Sequence, residues 1–305
     1  MVRETELAPL RIGGVTLHLM GPSRAVALAS MAFGLSSCGL VLGYGDPVEL
    51  GEASDAAAGR SDDASANTPG DAPDVPFCSS LSTPATFCSS FDDANYLARW
   101  NAGALINGRR SRDTSVFASY PASFRSAIER QTEATPAATI AVDFTGFANR
   151  PLVARIQFDL RVETAGKTSG GFAIIATPLI NVASGPPAYL MQLICYSIAG
   201  DPARVGVTLG ERSQLSPNPT IGHALSQPLV LGRWTRLVLE VEARSLSATL
   251  GNRAKITLNE TVALDEPLQV PLGNGTPMVA LGIDGSDPNA TDWSVAFDNV
   301  RIDIK

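Results

Sequence analysis

Between Leu152 and Glu163 the chain reads LVARIQFDLRVE: Leu152, Ala154, Ile156, Phe158, Leu160 and Val162 alternate with Val153, Arg155, Gln157, Asp159, Arg161 and Glu163. A period of two sends the two sets to opposite faces of an extended chain, so this stretch predicts a strand with one dry and one wet face. Runs of the same kind recur in GGFAIIA, AYLMQLICY, ARVGVTL, WTRLVLEVEA, AKITLN, MVALGID and WSVAFDNVRIDI. They are separated by turn signals at Ser169-Gly170-Gly171, Gly185-Pro186-Pro187, Gly251-Asn252, Gly273-Asn274-Gly275 and Asp287-Pro288-Asn289. No stretch carries the repeat of a long amphipathic helix. Many short strands at regular spacing predict an all-β fold, an antiparallel two-sheet sandwich over residues 77–305. A span of about 230 residues fits a single domain of that class.

Ahead of residue 77 the pattern changes. Starting from Met20, Arg24 supplies a basic flank, Ala25 to Leu35 a short apolar core, and small residues lead on to Cys38. That is the architecture of a secretory signal, and it is too short to span a bilayer as a helix. Leu35-Ser36-Ser37-Cys38 resembles the bacterial lipobox, which implies lipidation at Cys38 and a mature chain beginning there. Gly39 follows the cysteine, which favours the outer membrane as the destination of a lipid-anchored protein. Residues 1–19, with Glu4 and Glu6 where a signal wants basic residues, read as an over-extended start.

Residues 39–76 are rich in Gly, Ala, Ser, Asp and Pro and hold almost no large apolar residue after Leu50. Such a segment cannot bury enough surface to offset the entropy of ordering it, so it is expected to be a disordered tether. Its eight carboxylates, Asp46, Glu49, Glu52, Asp55, Asp62, Asp63, Asp71 and Asp74, face Arg60 alone. That balance of −7 equals the net charge of the whole chain, so the remainder is close to neutral. The acidity therefore belongs to a solvated spacer, and no basic stripe of the kind that nucleic acid requires is present.

Cys78 and Cys88 stand ten residues apart in a Ser-, Pro- and Thr-rich stretch of the exported region. In an oxidising compartment the simplest reading is a disulfide. Cys195, inside AYLMQLICYSIAG, reads as a buried small hydrophobe.

FCSSLSTPATFCSSFDD as an opening strand, GRWTRLVLEVEARSLSATLGNRAKITLN as a Trp-led strand running into a hairpin, and VAFDNVRIDI as a closing strand together resemble a known family. They are similar to the concanavalin A-like, laminin-G-like jelly rolls carried by myxobacterial-type lipoproteins. The resemblance implies a two-sheet jelly roll whose concave face binds glycans in many members, in some with calcium.

Jelly-roll glucanases need a nucleophile and an acid/base carboxylate on one strand face. Glu240 and Glu242 share a face but lack the intervening aspartate, and Leu237, Leu239 and Val241 make them the wet side of an ordinary strand. Asp265-Glu266 before Pro267 reads as a turn. No Gly-x-Ser-x-Gly elbow and no phosphate-binding Gly loop is present. His223, in NPTIGHALSQP, reads as a loop histidine, whereas an alginate-lyase jelly roll wants a histidine beside a tyrosine in its strands. Asp298 and Asn299 in the last strand, with Asp92 or Asp93 in the first, read either as hard oxygen ligands for calcium or as a hydrogen-bonding pair at a strand end. Calcium is the one cofactor these residues suggest. Trp293 and Trp234 read as core; Trp100, Tyr96, Tyr120 and Tyr189 are less constrained. The sequon-like triplets at Asn259, Asn274 and Asn289 read as chance matches.

The expectation is thus an outer-membrane lipoprotein with a lectin-like jelly-roll domain that recognises a glycan or an envelope partner without catalysis. The alternatives are a glycan hydrolase or lyase with an unrecognised site, and a purely structural envelope protein.

Overall fold

The computed structural model describes residues 76–128, 136–166, 171–182, 187–213, 220–286 and 292–305, together with a small ribbon at 11–12 and 15–16. The expected signal segment, Cys38 and the tether lie outside the described residues. The chain divides into two compact units, Met1–Ala64 and Ser65–Lys305. In the first, β1 (Arg11–Ile12) pairs antiparallel with β2 (Val15–Thr16).

The second unit is a sandwich of two antiparallel sheets. The front sheet runs in the order β12 (Thr220–Ala224), β11 (Asp201–Ser213), β10 (Tyr189–Ile198), β9 (Phe172–Val182), β17 (Thr276–Ile283), β7 (Ala137–Asp143), β4 (Leu105–Ile106), and β13 (Leu229–Val230) adds to β11. The back sheet runs β16 (Thr261–Pro267), β15 (Arg253–Leu258), β14 (Thr235–Ala243), β8 (Leu152–Thr164), β18 (Trp293–Ile304), β6 (Ser123–Ile128), β5 (Gly108–Asp113), and β3 (Phe87–Ser89) adds to β18. Helical structure among the described residues is limited to α1 (Phe77–Ser80) and a single 3-10 turn at Thr145–Phe147.

The period-two pattern does what it predicts. All six apolar positions of β8 from Leu152 to Val162 are buried in one core, against Leu237, Leu239 and Val241 of β14 and Phe297 and Ile302 of β18. The front sheet closes that core with Ile140, Ile175, Leu193, Val207 and Leu281. Full burial of each such side chain contributes about 1.5–3 kcal/mol. Glu240 and Glu242 stand on the wet side of β14, where Glu240 accepts a 2.8 Å bond from Arg155.

The first and last strands are neighbours: Phe87, Cys88 and Ser89 of β3 register with Ile302, Arg301 and Val300 of β18. The Cys78–Cys88 disulfide ties α1 to that pair, and Cys195 is a free, buried thiol in β10. Trp293 is fully buried, and Trp100 is buried between Phe87 and Phe91.

Two local expectations are corrected. Trp234 is only half-buried, in the turn before β14. Asp265-Glu266 lies within β16 and not in a turn, with Asp265 accepting from Arg253 Nε on β15. Tyr189, which the sequence pattern leaves open, belongs to the core.

Candidate functional site

In β10, Tyr189, Met191, Leu193 and Cys195 point into the core, so alternation sends Leu190, Gln192, Ile194 and Tyr196 to the outer face of the front sheet. The neighbouring strands follow the same parity. Leu190, Ile194 and Tyr196 register with Ile180, Ile174 and Phe172 of β9, and on the other side Gln192 faces Gly210 and Tyr196 faces Gly206 of β11. Gly210 in turn faces Gly222 of β12.

The glycines open this face. A Cβ on Gly206 would stand 2.1 Å from the Tyr196 ring, so the ring lies flat across the backbone of β11. A Cβ on Gly210 would meet Ile194 at 3.1 Å, and one on Gly222 would meet Thr208 at 3.2 Å. Small residues at these positions let the Tyr196 ring, Ile194 and the Thr208 methyl settle onto the sheet.

A β-bulge in β9 brings further polar groups to the same face. Register shifts between Met191 and Leu193, so Gln192 stands opposite the stretch containing Thr177 and Pro178. Thr177 registers with Ala280 of β17, and its Oγ1 is 3.5 Å from Asp284 Oδ2. Burial raises the Asp284 carboxyl above its ordinary range, and the Thr177 bond only partly opposes it. A titratable group perturbed by desolvation beside polar neighbours on one face is a functional-site signal. Ala141, Ile180 and Ala280 form a second small apolar cluster there, with Val182, Leu190 and Met278 packed against it. Arg212 stands exposed on β11 beside Leu190.

The histidine lies elsewhere. His223 is in β12, not in a loop, and it is buried on the core side of the sheet. Its Nε2 is 2.7 Å from Glu211 Oε1, Tyr189 Oη donates to Glu211 Oε2 at 3.1 Å, and the Gln269 backbone N–H donates to Glu211 Oε1 at 3.1 Å. The reading that no histidine stands beside a tyrosine in a strand is therefore corrected, but the pair is sealed inside. Burial and the adjacent Glu211 carboxylate push the Tyr189 hydroxyl well above its ordinary range, so it stays a donor.

Asp298 and Asn299 form a hydrogen-bonded bulge in β18. Asp298 Oδ2 accepts from the backbone N–H groups of Ala118 and Ser119 at 3.0 and 2.8 Å, and its Oδ1 accepts from Asn299 N at 2.8 Å. Asn299, at φ 51°, accepts from Ser119 Oγ and donates through Nδ2 to Asp159 Oδ2 at 2.7 Å. Arg236 closes the chain on Asp159. Burial pushes the Asp298 carboxyl up to about 7 against the pull of its three backbone donors. Asp92 and Asp93 lie in the turn after β3, where the Asp92 backbone carbonyl accepts from Arg112. Among the described residues no group of three or more His, Cys, Asp or Glu side chains gathers to hold a metal ion.

No protein-family model matches the chain, and no curated protein matches it in sequence. Solved structures do share the fold. The endo-β-1,4-glucuronan lyase of the fungus Trichoderma reesei is 14% identical, with a TM-score of 0.51 over 72% of this chain and 95% of that one. An alginate lyase from a Chlorella virus is 11% identical, with a TM-score of 0.48 over 72% and 99%. An alginate lyase from Pseudomonas aeruginosa is 14% identical, with a TM-score of 0.45 over 72% and 97%. The likeness to the glucuronan lyase shows the jelly-roll sandwich fold. One solved sandwich of this fold, the Trichoderma reesei enzyme, is a glucuronan lyase and not a lectin, so the expectation of a lectin-like, non-catalytic module is set aside.

Proposed function

We propose that the domain cleaves a uronate-containing polysaccharide by β-elimination on the outer face of the front sheet. The observation that carries the reading is the placement of Gln192 and Tyr196 on one face of β10, with the Tyr196 ring laid over Gly206.

Elimination needs three things: the uronate carboxylate relieved of its charge, a base for the proton on C5, and an acid for the glycosidic oxygen on C4. The Gln192 amide offers N–H donors that hold a carboxylate and stabilise the enolate-like charge that develops on it. The Tyr196 oxygen takes the C5 proton and returns it to the leaving O4, so the C4–O bond breaks, a C4=C5 double bond forms, and no water is consumed.

The full chain is incubated with a panel of uronate polysaccharides while the ultraviolet absorbance of the new double bond is followed. Absorbance that rises with wild type and falls about 100-fold in rate in Tyr196→Phe is the expected result. New reducing ends without absorbance would mean hydrolysis and would overturn elimination.

The proposal also takes the chain to be exported and lipid-anchored at Cys38, supported by the lipobox-like Leu35-Ser36-Ser37-Cys38 and consistent with a disulfide-forming compartment. Mass spectrometry of native protein should find an acylated amino-terminal Cys38. A peptide that retains Ala25 to Ser37 on the mature chain would refute it.

A further inference from the structure

The outer face has two regions of different character. Around β10 and β11 it carries Gln192, Tyr196 and the exposed Arg212. Across β9, β17 and β7 the outward positions are Phe172, Ile174, Thr177, Ile180 and Val182, then Met278, Ala280, Gly282 and Asp284, then Thr139, Ala141 and Asp143. Within this second region Ala141, Ile180 and Ala280 form a floor, with half-buried Val182, Leu190 and Met278 packed on it. The described outward positions of these three strands hold two carboxyl groups and no cation.

A homopolymer of uronates brings a carboxylate at every sugar, and each one needs a cation or a cluster of donors wherever it is desolvated. The β9–β17–β7 strip supplies apolar side chains and further acids, so a second or third uronate placed there meets repulsion and no partner. The C–H faces and acyl or deoxy groups of neutral sugars instead match a floor of alanine, isoleucine and methionine.

From this contrast we infer that the substrate is a heteropolysaccharide in which uronates are separated by neutral residues. One uronate sits at Gln192 and Tyr196, and its uncharged neighbours lie along β9, β17 and β7. The catalytic part of this inference rests on the elimination proposed above; the binding part does not.

Two soluble polymers test it: a 1,4-linked homopolyuronate and a polysaccharide in which each uronate is flanked by neutral sugars. Cleavage is followed by double-bond absorbance with wild-type full chain. Binding is followed by calorimetry with full-chain Tyr196→Phe, at low and at high salt.

The expected result is that the mixed polymer is cleaved and bound about tenfold or more better than the homopolymer, with affinity nearly independent of salt. Met278→Arg, which places a cation on the strip, should narrow the gap by improving the homopolymer. Equal or better handling of the homopolymer, a steep loss of affinity with salt, or retention of neither polymer would overturn the inference. If the mixed polymer is bound preferentially and no double bond forms in either, the elimination chemistry fails and the surface inference stands.

Discussion

Glu211 Oε1 lies 2.7 Å from His223 Nε2 between adjacent strands of the front sheet, and both side chains point into the core, away from the face that carries Tyr196. The carboxylate takes one bond from each of three partners, His223, Tyr189 and the Gln269 backbone, so the cluster ties β10, β11 and β12 to the segment that leaves β16. A buried carboxylate with its lone pairs filled is a structural group; one that loses a partner becomes a cost.

Glu211→Ala should therefore lower unfolding stability by about 3 kcal/mol, because it leaves the Tyr189 hydroxyl, His223 and the Gln269 N–H without their acceptor. Denaturant unfolding measures this. His223→Ala, assayed at a temperature where it is folded, should keep kcat within about threefold of wild type, since the ring faces away from the proposed chemistry. A kcat that collapses with His223→Ala while the fold is intact would move the catalytic base into the core side and refute the assignment to Tyr196.

Gly206 has no side chain because Tyr196 occupies the place of its Cβ. Gly206→Ala should displace the ring and cut kcat by about 10- to 100-fold, as misplacement of a reacting group by an ångström does. The backbone there is ordinary strand and Tyr196 is half exposed, so unfolding stability should change by no more than about 1 kcal/mol. Matched kinetics and unfolding on one preparation distinguish a positioning effect from a folding defect.

Asp298 gives the fold a pH dependence of defined sign. Its carboxyl titrates near 7 when folded, against an ordinary value near 4, because burial penalises the charge more than the N–H groups of Ala118, Ser119 and Asn299 favour it. The folded state binds the extra proton between those values, so this group's contribution is complete below about pH 4 and is lost as pH rises to about 7, by about 4 kcal/mol at most. Unfolding curves at about pH 4 and about pH 8 should show that decline in wild type and a flatter profile in Asp298→Asn. A wild-type stability that rises across this window would contradict the assignment, once the exposed carboxylates are matched by the variant.

The disulfide closes a short loop between α1 and β3. Replacing both Cys78 and Cys88 by serine should cost about 2–3 kcal/mol, chiefly by freeing the unfolded chain. Since β3 pairs only with the end of β18, hydrogen exchange should show the loss first at Phe87–Ser89 and Val300–Ile302.

The class of fold, the long strands and the disulfide were legible in the sequence because each rests on local information: a two-residue period, turn residues between runs, and two nearby cysteines in a Ser-, Pro- and Thr-rich stretch. β8, β14 and β18 are long enough to display the period without ambiguity. β12 and β16 are short strands at the sheet edges, and their glycine, proline and paired acids read as loop and turn until a neighbouring strand supplies the hydrogen bonds that make them extended. For that reason His223 reads as a loop residue and Asp265 as part of a turn until the sheet pairs them.

The candidate site was hidden for a second reason. Gln192 and Tyr196 sit in AYLMQLICYSIAG, an almost unbroken apolar run in which alternation marks no clear wet face. Which residues look outward there depends on pairing with β9 and β11, including a bulge at Thr177-Pro178 and a glycine 10 residues farther along the chain that clears space for the tyrosine. The sequence by itself determined that strands would form and which of their residues want burial, because hydrophobic periodicity is a property of neighbouring residues. Only the tertiary structure decided which polar groups meet on one face, because register and bulges are set by hydrogen bonds between segments that the linear pattern does not connect.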